Sequence, residues 1–132
     1  MTSKTPICVI IFDLDQTLIN ETICKDTLQV LQELKNHQYS LAIASYNKYA
    51  KWFCDRYDIT KYFDMIEAKF DSTKIHHLKN IMEFYKVPSS KIAFFDDRQR
   101  NCNIAQNKLH IKSYKVNKHY GIRLNDIQWL LN

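Results

Sequence analysis

The sequence predicts a single α/β domain built on a five-stranded, mainly parallel sheet with helices on both faces. Three observations predict it. Five short apolar segments recur along the chain, helical patterns fill the intervals between them, and 132 residues fit one domain with one packed core. Strands that alternate with helices form a parallel sheet covered on both sides, with right-handed crossovers.

Each element has its own signal. Ile7–Phe12 reads Ile-Cys-Val-Ile-Ile-Phe, the nearly unbroken apolar run of a strand buried on both faces. Leu28, Leu31 and Leu34 mark the inner face of a first helix, with Asp26 near its start. Leu41–Ala44 is the second strand. Tyr46, Ala50, Phe53 and Tyr57, at spacings of three and four, mark a second helix. Met65–Ala68 is a weaker third strand. Ile75, Leu78, Met82 and Tyr85 mark a third helix, for which Asp71 or Ser72 is the expected N-cap. Ile92–Phe95 is the fourth strand. Ile104 and Ala105 belong to a fourth helix expected to stop near Asn107, because asparagine tolerates the left-handed conformation. Ile111–Val116 alternates and reads as an edge strand, and Asn125–Leu131 reads as a terminal helix. Trp52 and Trp129 are expected to pack. Repeats, low-complexity stretches and linkers are absent from the sequence.

Composition narrows the function classes. Hydrophobic residues make up 45% and charged residues 25%, ordinary values for a globular protein. No apolar run is long enough to cross a bilayer, so no membrane partner is expected. Met1–Pro6 lacks the apolar stretch of a secretion leader. Cys8, Cys24, Cys54 and Cys102 are not spaced as zinc or redox pairs and are expected to be reduced, as in the cytoplasm. The net charge is +5, which favours anionic partners, phosphorylated substrates and nucleic acid alike. With 15 lysines against 4 arginines, much of that charge is expected to be a solvated surface.

The chemistry gathers at the strand ends, where ligands bind in parallel sheets. The first strand runs into Asp13-Leu14-Asp15-Gln16-Thr17, and the fourth into Asp96-Asp97. One acidic pair alone would be read as a turn or helix cap. Two pairs, each following a buried apolar strand, place like charges together, and a cation relieves them. Magnesium accepts carboxylate and carbonyl oxygens while keeping some of its waters. Ser45 ends the second strand, and a helix opening near Asn47 offers the serine hydroxyl and backbone amides to a phosphate. Lys74 falls in the first turn of the third helix. A cation is unfavourable there, so an anion nearby is expected.

Asp13-Leu14-Asp15-Gln16-Thr17, Ser45, Lys74 and Asp96-Asp97 resemble, in order, the four motifs of the haloacid dehalogenase superfamily, and the resemblance spans nearly the whole chain. Thr73-Lys74-Ile75-His76-His77-Leu78 and Phe94-Phe95-Asp96-Asp97-Arg98-Gln99-Arg100-Asn101 are similar to segments of the magnesium-dependent phosphatase-1 family, as are Gly121 and the helix after it. The segment from Leu18 to Lys25 is shorter than that family's aromatic flap. The resemblance implies a Rossmann-like core and a phosphomonoester hydrolase. Asp13 is then the nucleophile that forms an aspartyl phosphate, and Asp15 is the general acid and base. Ser45, Lys74 and Asn47 bind phosphate. Mg2+ is held by Asp13, the Asp15 carbonyl, Asp96 and, from further out, Asp97.

Asp15 and Ser45 lie 30 positions apart, and Ser45 and Lys74 lie 29 apart. Each interval holds about one helix, so no cap domain and an open site are expected. The expected partners are a phosphorylated small molecule or protein, phosphotyrosine and sugar phosphates among them. The alternatives are a nucleic-acid end-processing phosphatase, disfavoured because the sequence supplies no aromatic stacking platform, and a non-catalytic binding module. His76 and His77 point about 100° apart on a helix and make no chelating pair. Arg98 is expected to pair with the neighbouring carboxylates.

Overall fold

The computed structural model describes residues 6–132, so of the Met1–Pro6 segment all but Pro6 lies outside the described residues. Four consecutive buried residues form β1 (Val9–Phe12) at the centre of the sheet. β2 (Ser40–Ser45) and β4 (Ile92–Asp96) flank it, and β3 (Met65–Ala68) and β5 (Lys112–Lys115) form the edges, all parallel, in the order β3-β2-β1-β4-β5. β1 and β4 are buried throughout and β2 nearly so, whereas both edge strands are partly exposed. That gradient explains why the third strand was weak and the fifth alternated in sequence.

The pleat sends alternate residues to opposite sides. Ile10 and Phe12 join Leu31, Leu34, Cys54 and Ile127 in one core, beneath α1 (Thr27–Asn36), α2 (Ala50–Arg56) and the short α5 (Leu124–Ile127). Val9 and Ile11 join Leu78, Ile81 and Ala105 in the second core, beneath α3 (Ile75–Tyr85) and α4 (Gln99–Leu109). Among the described residues no inserted lid interrupts this order, and no helix is long and apolar enough to cross a membrane. All four cysteines are free.

Several boundaries differ from the sequence reading, each for a local reason. α1 buries Thr27, Val30, Leu31 and Leu34 and turns Leu28 outward at 44% exposure. Thr27 belongs inside because its hydroxyl donates to the Leu18 carbonyl at 2.7 Å. α2 opens only at Ala50 and leaves Tyr46 outside. The Ser45 hydroxyl oxygen and Asn47 Oδ1 accept the amides of Asn47 and Tyr49, which turns the chain first. Neither Asp71 nor Ser72 caps α3, which starts after Lys74. α4 runs past Asn107 and ends on His110, itself left-handed at φ 59°. The terminal helix is α5 followed by a 3₁₀ turn, Gln128–Leu130. Trp129 packs on Tyr114 at 5.1 Å, but Trp52 is 57% exposed.

The chain builds outward from β1 to β2 and β3, then crosses back to add β4 and β5 on the other side. The sheet order therefore reverses between β1 and β4, where parallel sheets open a crevice at the carboxyl ends of their strands.

Candidate active site

The crevice holds the two acidic pairs. Asp13 follows β1 and Asp96 ends β4, in adjacent strands that are in register at Phe12 and Phe95. Both carboxylates are buried, at 6% and 0% exposure. Lys74 arrives from the loop before α3 and is 2% exposed. Its Nζ donates to Asp13 Oδ1 at 2.6 Å and to Asp96 Oδ2 at 2.9 Å. The anion that its unfavourable helix position called for is therefore this pair. Burial alone would pull the Lys74 ammonium towards neutrality, but Asp13 and Asp96 hold its pKa above the usual lysine value.

Further donors fix the two carboxylates. The Thr17 hydroxyl donates to Asp13 Oδ2 at 3.2 Å. Asn101 Nδ2 donates to Asp96 Oδ2 at 3.0 Å, and the Arg98 amide donates to Asp96 Oδ1 at 2.9 Å. Thr17 is itself braced from the far end of the chain: Ile122 N–H donates to the Thr17 carbonyl at 2.7 Å. Gly121 makes that approach possible. It sits at φ +68°, and a Cβ there would lie 2.5 Å from Cys24 Sγ and 2.6 Å from the Thr17 carbonyl oxygen.

The cluster sets three carboxylates against one ammonium. Oxygens of Asp13, Asp96 and Asp97 lie within 4.8 Å of one another, and among the described residues Lys74 is the one ammonium that bridges Asp13 and Asp96. Burial pushes the Asp13 carboxyl up to about 6, against the pull of Lys74 and with Asp97 adding to the rise. Burial raises Asp96 and Asp97 as well. Three close carboxylate oxygens with excess negative charge suit a hard divalent cation, and the donor set therefore fits magnesium.

Asp15 stands apart from this cluster. It is exposed, and it lines the same cavity, of about 90 Å³, with Asp13, Gln16, Tyr46, Lys74, Asp97, Arg98 and Asn101. Gln16 takes φ 63°, the left-handed turn that separates the buried Asp13 from the exposed Asp15.

Of the residues expected at the site, Asp13, Asp15, Lys74, Asp96 and Asp97 converge here. Ser45 and Asn47 do not line the cavity. Ser45 is buried at the end of β2, where its Oγ accepts the Asn47 amide at 3.0 Å. Its hydroxyl hydrogen has no protein acceptor among the described residues. His76 pairs with Asp71 at 2.9 Å, and His77 meets the Lys69 carbonyl at 2.8 Å and the edge of Tyr46, so neither histidine reaches the cavity. The Arg98 side chain makes no ion pair with a carboxylate among the described residues.

Two contributors were given no role from sequence. Tyr46, read as part of a helix face, places its ring 5.1 Å from Lys74 Nζ. Asn101 closes the Phe94–Asn101 segment. Its signal was its place in the first turn of the helix that follows an acidic strand end.

A family described as acid phosphatase matches residues 19–131. Among solved structures, a putative phosphatase from Clostridium difficile is similar, with 15% identity, a TM-score of 0.83, and 98% of this chain and 100% of that one covered. A haloacid dehalogenase family enzyme from Bacteroides thetaiotaomicron, complexed with magnesium and inorganic phosphate, has 14% identity and a TM-score of 0.72, covering 92% and 98%. A haloacid dehalogenase-like hydrolase from Streptococcus pneumoniae has 12% identity and a TM-score of 0.77, covering 93% and 90%. These likenesses show the fold. No curated protein matches by sequence.

Proposed function

We propose that this chain, which belongs to the acid phosphatase family, hydrolyses phosphomonoesters through a covalent intermediate on Asp13. The observation that carries the reading is the convergence of Asp13, Lys74, Asp96 and Asp97 at the point where the sheet order reverses, with Asp15 free beside them.

The Thr17 and Lys74 bonds orient the Asp13 carboxylate, which attacks phosphorus as the bond to the leaving oxygen breaks. This divides one difficult displacement into two. Asp15 gives its proton to the leaving oxygen, then takes a proton from the water that attacks the aspartyl phosphate. Phosphate departs and Asp13 is restored. Lys74 offsets charge on the phosphoryl oxygens, while Ser45 and Asn47, which do not line the cavity, shape the turn after β2 through the Asn47 amide that Ser45 Oγ accepts. Magnesium, held by Asp13, Asp96, Asp97 and the Asp15 carbonyl, would supply positive charge at a phosphoryl oxygen. The similarity of the Lys74 and Asp96-Asp97 segments to magnesium-dependent phosphatase-1 supports the same assignment, with phosphotyrosine or sugar phosphates as substrates, and the four free cysteines fit a reducing, cytoplasmic compartment.

The test is phosphate release from an aryl phosphate by the wild-type protein and by Asp13→Asn, each with magnesium and then with a chelator. Turnover should fall by more than about a thousandfold on losing the nucleophile and should vanish, reversibly, with the chelator. Near-wild-type turnover by Asp13→Asn would rule out the covalent mechanism.

A further inference from the structure

The catalytic cavity does not end at Asp97. Gln16, Asp97 and Arg98 form a shared wall with a second cleft of about 560 Å³, lined beyond them by Lys115, Asn117, Lys118 and His119. That volume is in the range of small-ligand sites. Its charge is one-sided: Arg98, Lys115 and Lys118 face it, with His119, against the single carboxylate of Asp97. Among the described residues none of these cations is in an ion pair, although other surface lysines are.

Register fixes the spacing. Asp96 pairs with Lys115 across β4 and β5, and β1 lies on the other side of β4. Lys115 is therefore two strand spacings from the Asp13 row, about 10 Å at the backbone. A lysine side chain and a sugar-sized linker bridge that distance. His119 also belongs to the wall of a third cleft, with Tyr120 and Arg123. The Tyr120 ring is 62% exposed, with the Arg123 guanidinium 5.2 Å from its centroid. Tyr120 lies in that adjoining cleft, next to the shared His119, where an exposed ring is a surface on which a base can stack.

We infer that the substrate is a nucleotide-type phosphomonoester carrying a second phosphate, which the Arg98–Lys115–Lys118 cleft holds while Asp13 attacks the first. The inference rests on the phosphatase reading and deepens it. A phosphate, whether monoester or diester, offers two anionic oxygens that can meet two cations at once, which makes such contacts stronger than neutral ones. Two sources share this chemistry: a nucleoside bisphosphate, and the phosphorylated end of an oligonucleotide, whose next phosphodiester fills the cleft.

The experiment compares kcat/KM for an aryl phosphate, a nucleoside 5′-monophosphate, a nucleoside 3′,5′-bisphosphate and a short end-phosphorylated oligonucleotide. It uses the wild-type chain and Lys115→Ala/Lys118→Ala, with the fold of each checked by thermal unfolding. The bisphosphate should exceed the monophosphate by about tenfold or more, and the double substitution should bring that ratio back towards one. A gain complete with the bisphosphate assigns a small nucleotide. A further gain with the oligonucleotide that falls steeply with salt assigns a nucleic-acid end. Either upholds the inference. A bisphosphate no better than the monophosphate, or a ratio untouched by the substitutions, overturns it while leaving the phosphatase reading intact. Absence of aryl phosphate hydrolysis in the wild-type chain would instead strike the phosphatase reading itself.

Discussion

Lys74 and Lys51 both sit within bonding distance of a carboxylate, Lys74 at 2.6 Å from Asp13 and Lys51 at 3.2 Å from Asp55. The two regions differ in what surrounds the charges. Lys51 and Asp55 lie one turn apart on α2, with side chains 71% and 53% exposed, so water competes for both. Lys74 is sealed between β1, β4 and Tyr46, and reaches Asp13 from 61 residues away in the chain. The pair on α2 resembles many surface pairs that contribute little. The buried cluster has given up hydration that its own members only partly replace, which is why Asp13 remains raised to about 6 beside a lysine. Proximity of opposite charges is thus not what distinguishes a site. The distinguishing feature is a desolvated cluster whose charges do not balance, because excess buried negative charge is available to a metal cation.

Substitutions can break this contrast in graded steps. Lys74→Ala should have the largest effect on the fold. Removing the cation leaves Asp13 and Asp96 buried together, and breaking a buried pair from one side costs about 3–5 kcal/mol. Urea unfolding should show the loss, and aryl phosphate turnover should fall with it. An unchanged unfolding midpoint would mean that the cluster is wetter than its burial implies.

Gly121→Ala comes next and probes the brace behind the cluster rather than the cluster itself. The new Cβ meets the Thr17 carbonyl and Cys24 Sγ well inside contact distance, at a left-handed φ. Strain and overpacking together should cost about 2 kcal/mol or more. Activity should fall as well, because the same Thr17 holds Asp13 through its hydroxyl. Stability loss with full activity would separate the brace from the site. Lys51→Ala should come last, with neither the unfolding midpoint nor turnover moving beyond measurement scatter. A clear shift there would erase the contrast.

The legible part of the fold was the local part. Ile7–Phe12 and Ile92–Phe95 announced central strands by their apolar continuity, and the structure buries β1 and β4 throughout. The sequence misplaced Leu28 and Tyr46, whose spacing suited a helix face, because a threonine bond to Leu18 rotates α1 and a Ser45–Asn47 turn delays α2. Similar local competition moved the start of α3 away from Asp71. That carboxylate accepts the Ser72 amide at 2.7 Å and so shapes the loop ahead of the helix.

At the site, Asp13, Asp15, Asp96 and Asp97 were legible because each acidic pair interrupts an apolar run at a strand end, a contrast visible within a few residues. The sequence by itself determined these strands, their polar ends and the ordered motifs. The tertiary structure alone decided which polar residues meet. Lys74 reaches Asp13 only because the chain crosses from β3 back to β4. Asn101 reaches Asp96 only because α4 turns back over β4, and Lys115 joins the row only because β5 pairs in register with β4. The physical reason is that strand and helix patterns are written in short-range periodicity, whereas convergence depends on strand order and register, which are set by how two cores pack on opposite faces of one sheet.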